Sequence, residues 1–502
     1  MRDNMIQLRS RARASDDVKI ELGRVIGVAD PRLFGSFVEH LGRGVYGGIY
    51  DPTHTSATPE GFRGDVLALV RELGVSVVRY PGGNFVSGYD WRDGVGPREK
   101  RPRRLDLAWK SIETNEFGTD EFIAWSRAAG VEPMLAFNLG LGDIASALAL
   151  VEYSNFPSGT QLSDERRTNG AEHPHNVRMW CLGNELDGPW QLGHKSAEEY
   201  AELAATAASA LRMFDPTLEL VAVGSSNADM ATFGEWEATV LSKTIDMVDF
   251  ISCHIYFYND GDLEAFLRSS LKLDSFIERV SSTIEHVKTV TRSTRDIKIS
   301  LDEWNVWNYR AYDEIKPSRD FEVAPRLLEE EYTLADAVVV GTLLQSILAH
   351  ADVVSIAALA QLVNVIGAIR AEPEGPAWRQ TIFYPFAAVA ASAGHRVIAT
   401  VSESTDVGCI VTQGDDGTIL VHLSHVGLST STRLDVDLVA LTPGAVLSAQ
   451  VLWNEDPYAS NTSHDPLRVQ PQPLDVQLSD GQLSLTLPPL SWASIRLSGR
   501  AD

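Results

Sequence analysis

Short apolar runs separated by amphipathic stretches fill the first three-quarters of the chain. Eight of them, over 33–38, 75–80, 133–138, 177–182, 220–223, 250–254, 297–301 and 353–359, are too short for helices and read as buried strands. Between them, as over 65–73, 119–129, 196–214 and 331–349, apolar residues recur at the three- and four-residue spacing of helices with one face on a core. A strand followed by a helix or long loop, eight times over, predicts a parallel sheet, and eight is the number that closes a barrel. The expected fold class is α/β, a (β/α)8 TIM barrel. An open doubly wound sheet is the competitor, but it would want a glycine-rich phosphate turn after an early strand, and Pro81-Gly82-Gly83-Asn84 matches one poorly.

From about Tyr384 the period changes to two. Alternating strands are predicted over 397–401, 409–411, 419–423, 434–438, 446–452, 476–478, 483–487 and 493–497, with hairpin turns at Gly414-Asp415-Asp416-Gly417 and Asp480-Gly481. This reads as an appended all-β, jelly-roll-like sandwich without helices. Residues 18–22 alternate in the same way ahead of the first barrel strand. The expected organisation is a disordered tail over 1–17, a strand over 18–30 that joins the sandwich, a catalytic barrel over 31–383 and the sandwich over 384–502.

Composition narrows the function classes. The chain has 502 residues, 68 of them acidic and 43 basic, for a net charge of −25. Such a field disfavours nucleic acid, since phosphate binding wants a basic face, and is indifferent to a neutral ligand such as a sugar. Cys181, Cys253 and Cys409 are odd in number and far apart, which predicts reduced thiols. The Arg-rich N-terminus lacks the apolar core of a secretory signal. The most apolar region, 334–369, is interrupted by Asp336, Gln345, His350, Asp352, Gln361 and Asn364, leaving no run of the roughly 18 residues that a membrane span needs. A cytoplasmic protein with no membrane partner is expected.

In a (β/α)8 barrel the working groups gather where the strands end. Those ends read Glu39-His40, Asn84, Asn138, Asn184-Glu185, Ser225-Ser226-Asn227, His254-Ile255-Tyr256, Asp302-Glu303-Trp304-Asn305 and Gln361 with Asn364. Amides and acids suit the hydroxyls of a polyhydroxy ligand, and Trp109, Trp304 and Trp307 suit the apolar faces of its rings. Glu185 follows the fourth strand and Glu303 the seventh, which lie across the mouth from one another. Glycoside cleavage needs two such carboxyls, a proton donor and a nucleophile or base on the opposite face of the sugar. His173-Pro174-His175 has no acid or cysteine at ligand spacing and reads as a loop; no metal or other cofactor is expected. His254 reads as a supporting group rather than as the acid or base.

The stretches FGSFVEHLGRGVYGGIYDP, VVRYPGGNFVSGYDWRDGVGP, NEFGTDEF, WCLGNELDGPWQLGHK, CHIYFYN, LDEWNVW and AQLVNVIGAI together resemble the α-L-arabinofuranosidases of glycoside hydrolase family 51. The resemblance implies a retaining, exo-acting enzyme with Glu185 as acid/base and Glu303 as nucleophile. It implies that Glu39, Asn84, Asn184, Tyr256 and Gln361 hold the arabinofuranose, with Trp109 and Trp307 shaping the pocket and Tyr256 orienting Glu303. Arabinofuranosyl oligosaccharides are the implied partners, and a homo-oligomer, in this family often a hexamer, the implied assembly. Two alternatives stand beside it: another retaining glycosidase of the clan, such as an endoglucanase or β-xylosidase, and a non-catalytic carbohydrate-binding protein on the same scaffold.

Overall fold

The computed structural model describes residues 18–315 and 319–499; the expected N-terminal tail lies outside them. The chain enters through strand β1 (Val18–Val28) and then builds the barrel from β2 (Gly35–Phe37), β3 (Val77–Tyr80), β4 (Glu132–Ala136), β5 (Met179–Cys181), β6 (Glu219–Ala222), β7 (Phe250–Phe257), β8 (Lys298–Val306) and β9 (Val354–Leu359). Each pairs in parallel with its sequence neighbour, and β9 closes on β2, so the eight strands form a closed barrel in chain order. All eight predicted runs are strands. The outer helices are α1 (Gly64–Leu73), α2 (Thr119–Ala129), α3 (Ile144–Asn155), α4 (Ala197–Phe214), α5 (Glu235–Thr244), α6 (Ser270–Thr291), α7 (Leu334–Ala349) and α8 (Phe383–Ala390).

Local chemistry sets the helix ends. Helix α4 starts in a reciprocal cap: the Ser196 hydroxyl accepts from the Glu199 N–H at 3.3 Å, and the Glu199 carboxylate accepts from the Ser196 N–H at 2.9 Å. Helix α1 stops at Gly74, whose φ of 78° is the left-handed conformation glycine adopts without a Cβ penalty. Helix α7 is apolar all round because it is buried all round, between the barrel and the C-terminal sheet. One of its few polar residues docks on that sheet: Gln345 donates to the His422 carbonyl at 3.0 Å and accepts from the Ser424 hydroxyl at 2.9 Å. A Cβ at Gly341 would stand 2.3 Å from the Trp492 ring, so glycine permits this approach.

The C-terminal strands are β10 (Arg396–Ser402), β11 (Val407–Gln413), β12 (Ile419–His425), β13 (Thr432–Asp437), β14 (Pro443–Leu452), β15 (Gln472–Pro473), β16 (Val476–Ser479), β17 (Gln482–Leu487) and β18 (Ser491–Gly499). They form one continuously hydrogen-bonded ten-stranded sheet in the order β15-β14-β18-β12-β11-β10-β1-β13-β17-β16. Strand β1 is the seam, antiparallel to β10 and parallel to β13. The sheet folds over a single core, in which Val421 and Ile495 from one half meet Leu434 and Leu485 from the other.

One expectation is corrected here. The segment from residue 384 was read as free of helix, yet α8 runs from Phe383 to Ala390 and buries Phe383, Phe386 and Val389. It is the helix that follows the eighth barrel strand, packed against α1. Its run of aromatic and apolar residues has no polar face by which to recognise it.

Candidate active site

The strand ends converge on two glutamates. Strand β5 is short, and Gly183, at φ 111°, turns the chain out of it; Glu185 then takes a φ of 44°, uncommon for a residue with a side chain. Glu303 lies in β8, opposite His254 of β7. Nearest oxygens of the two carboxylates and the Nδ1 of His254 all lie within 4.8 Å of one another. His254 Nδ1 is 2.9 Å from Glu185 Oε1 and 3.6 Å from Glu303 Oε2, while its Nε2 is 3.1 Å from Asp302. Both ring nitrogens therefore face carboxylate oxygens. Burial disfavours the charged ring, but Glu303, Asp302 and Glu185 outweigh it and hold its pKa well above the ordinary range. Carboxylates facing both ring nitrogens suit the charged form, in which each nitrogen carries a donor.

A second cation comes from β3. Arg79, 1% exposed, donates to Glu303 at 2.7 Å and to Oδ1 of the Asn184 side chain at 2.7 Å, and its Nε lies 3.5 Å from Asp302. Tyr256 donates its hydroxyl to the other Glu303 oxygen at 2.8 Å, as expected of a residue that orients it. Burial pushes the Glu303 carboxyl up; the His254 and Arg79 charges pull it back. The buried cluster thus contains two cations, Arg79 and His254, and three carboxyls, Glu185, Asp302 and Glu303.

The remaining candidates line the same bowl. Glu39 accepts from the Phe85 N–H at 2.9 Å, the Trp109 indole N–H at 2.8 Å and Gln361 at 3.1 Å. Asn84 accepts from Asn184 at 3.3 Å. Trp307 packs edge-on against Tyr256, with ring centroids 5.0 Å apart. All nine predicted site residues fall in one connected region. Trp304 does not: it is completely buried in the core. Asn138 folds back on its own loop, accepting from Gly142 N–H at 2.9 Å, and Asn305 ties main-chain carbonyls together.

Two groups escaped the sequence reading. Arg79 was visible as a charge inside the apolar run Val77-Val78-Arg79-Tyr80, and a buried cation requires buried anions. Trp190 donates its indole N–H to Glu185 Oε2 at 2.8 Å while 46% of the residue stays exposed at the mouth. Nothing in its surrounding loop sequence marks it.

Comparison with known proteins agrees with this geometry. Residues 69–275 match the alpha-L-arabinofuranosidase 1 domain and residues 302–491 the alpha-L-arabinofuranosidase C-terminal domain. The chain is 50% identical over 491 residues to an intracellular exo-alpha-(1->5)-L-arabinofuranosidase of Streptomyces lividans, a match covering 95% of this chain and 74% of the relative. It is 48% identical over 500 residues to an exo-alpha-(1->6)-L-arabinofuranosidase of Bifidobacterium longum, covering 94% and 95%. A solved family 51 alpha-L-arabinofuranosidase from Bifidobacterium longum superposes with a TM-score of 0.94 at 45% identity, covering 96% of this chain and 99% of that one. The chain belongs to the family 51 α-L-arabinofuranosidases.

Proposed function

We propose that this chain is a retaining, exo-acting α-L-arabinofuranosidase that releases terminal non-reducing α-L-arabinofuranosyl residues from arabinan and arabinoxylan oligosaccharides. The observation that carries this is the spacing of Glu185 and Glu303, whose nearest oxygens lie within 4.8 Å. Retaining enzymes hold their carboxyls about 5–5.5 Å apart, whereas inverting enzymes need about 6.5–9.5 Å to seat a water. In this reading Glu303, fixed by Arg79 and Tyr256, attacks the anomeric carbon as protonated Glu185 gives its proton to the departing oxygen. A covalent arabinofuranosyl–Glu303 ester results. Glu185, now ionised and facing His254 and the Trp190 N–H, takes a proton from water as that water attacks the ester and frees Glu303.

Glu39, Asn84, Asn184, Tyr256 and Gln361 are proposed to hold the furanose, with Trp109 and Trp307 as its walls. The burial of Glu39, Asn184 and Gln361, each at most 3% exposed, favours a pocket for one terminal sugar over a groove. Asn184, oriented by Arg79, is placed to meet the 2-hydroxyl, a contact that strengthens at the transition state. Relatives are named for 1→5 and for 1→6 linkages.

The division into strand 18–30, barrel and β domain belongs to the same reading; because α8 packs on the barrel helix α1, the boundary expected at 383/384 moves to its end at Ala390. So does an intracellular site of action, in line with several relatives' names and with no helix among the described residues long and apolar enough to cross a membrane. A homo-oligomer, a hexamer by family resemblance, is proposed too; Leu105, Leu107, Phe321 and Val323 are exposed apolar residues available to such an interface.

A panel of aryl glycosides tests the function. The arabinofuranoside should be cleaved and the xyloside and glucoside far more slowly. Preference for either of the latter would favour another glycosidase of the clan, and no cleavage of any would favour a binding protein. Glu185→Ala should slow poor leaving groups most and should regain turnover of activated substrates with azide.

A further inference from the structure

The loop after β3 carries a small hairpin, Arg104–Asp106 against Ser111–Glu113, whose turn presents Trp109. One side chain at the base of the hairpin organises that turn. Asp106 Oδ1 accepts from the Ala108 N–H at 3.0 Å, and Oδ2 accepts from the Trp109 N–H at 3.1 Å and the Ser111 hydroxyl at 3.1 Å. The next residue, Lys110, has a φ of 50°, a left-handed conformation that costs about 1–3 kcal/mol in a residue with a side chain. The turn therefore depends on the carboxylate beneath it.

Trp109 is held at two further points. Its carbonyl accepts from Arg319 Nη1 at 2.9 Å, and its indole N–H donates to Glu39 at 2.8 Å. Segment 319–322 also pairs with the outer edge of the hairpin, through Ile112 N–H to the Glu322 carbonyl at 2.8 Å. Asp106 is 7% exposed, and burial pushes its carboxyl up to about 6, a cost that its three donors offset in part. A buried acid is thus committed to the turn that carries Trp109.

We propose that Asp106 is a positioning residue for the terminal sugar: by fixing the Trp109 main chain it aims the indole N–H at Glu39 and so sets the shape of the furanose pocket. The proposal rests on the reading that Glu39 and Trp109 line that pocket. Both carboxylate oxygens are needed. An asparagine would keep one acceptor and turn an N–H₂ toward either the Ala108 N–H or the Trp109 N–H. Loss of the aim weakens the sugar in ground state and transition state alike, which raises KM and leaves kcat in place.

The test is a double-mutant cycle on 4-nitrophenyl α-L-arabinofuranoside, comparing wild type, Asp106→Asn, Trp109→Phe and the double variant. Asp106→Asn should raise KM about tenfold (about 1.4 kcal/mol) with kcat within about twofold. It should weaken competitive inhibition by arabinose in step. In the Trp109→Phe background, where the aimed N–H is gone, the same substitution should change KM by less than about threefold. An equal KM effect in both backgrounds, or a loss confined to kcat, overturns the proposal. Should wild type fail on this substrate, the proposed function falls, and the coupling is read on whichever glycoside of the panel is cleaved. Should Asp106→Asn lose its cooperative unfolding transition, Ser111→Ala, which deletes one donor to the same oxygen, carries the cycle; a KM rise from it that persists undiminished with Trp109→Phe contradicts the positioning role.

Discussion

Arg79 and Glu303 meet across 2.7 Å beneath the barrel mouth, a guanidinium from the second barrel strand on a carboxylate from the seventh, both almost fully buried. The same guanidinium reaches Asn184 and Asp302, so one side chain fixes the nucleophile, its neighbour and the amide beside the acid. Arg79→Ala leaves buried carboxylates without their cation, and breaking a buried pair in this way costs about 3–5 kcal/mol of stability. Activity should fall by about 10²–10³-fold, the usual effect of losing one well-aimed donor at a reacting centre. Arg79→Lys should recover little, since an ammonium cannot bridge three partners in one plane. Kinetics and denaturant unfolding of both variants check this; either variant within tenfold of wild type in kcat/KM would show that the guanidinium is dispensable.

Trp190 gives a prediction separable from sugar binding. Its indole N–H donates to Glu185 Oε2 at 2.8 Å, a direct contact with the carboxyl of the proposed acid/base. Trp190→Phe keeps an aromatic ring and removes the donor, a hydrogen bond to a charged group worth about 1.5–3 kcal/mol. The first step, in which Glu185 gives up its proton and the carboxylate forms, should slow by about tenfold or more with poor leaving groups, while hydrolysis of the ester should not slow. Comparing kcat/KM on an arabinofuranosyl oligosaccharide and on an activated aryl substrate checks this. A kcat/KM equal to wild type on the oligosaccharide would remove Trp190 from the mechanism.

The barrel was legible because its strands are short apolar runs that end in polar residues, and because Glu185 and Glu303 close two of those runs. The site was less so, for reasons of direction. Strand β8 does not keep a strict period of two: with a register shift between Ser300 and Glu303, Asp302 and Glu303 both meet Arg79 and His254, while Trp304 is buried in the core. Arg79 was passed over because its strand looked like core, and its partners lie more than a hundred residues away in sequence. Trp190 and Asp106 sit in loops whose paths no periodicity describes. Helix α8 was absorbed into the C-terminal domain because burial on several sides removes the amphipathic pattern by which helices are recognised.

Glu39 ties stability to pH. Burial lifts its carboxyl to about 8, against the pull of the Phe85 N–H and with help from the Glu303 charge. In the unfolded chain a glutamate titrates near ~4.3. Between these values the folded protein keeps a proton that the unfolded one has lost, so this contribution is full below ~4.3 and disappears as pH rises through 8. Glu39→Gln cannot titrate. Its unfolding free energy should decline less than that of wild type between pH 5 and pH 8, by up to about 1.4 kcal/mol per pH unit. Urea titrations at the two pH values measure it, and parallel declines would show that Glu39 is ionised throughout.

The central claim is that Glu303 forms a covalent bond to the sugar, and the stereochemistry of transfer tests it most directly. With methanol as a competing acceptor, the product glycoside cannot mutarotate, so its configuration records the reaction itself. Two displacements at the anomeric carbon, the first by Glu303 and the second by methanol activated through Glu185, predict methyl α-L-arabinofuranoside as the sole transfer product in the proton NMR spectrum. The β-anomer would mean a single displacement with Glu303 as a base, contradicting the account.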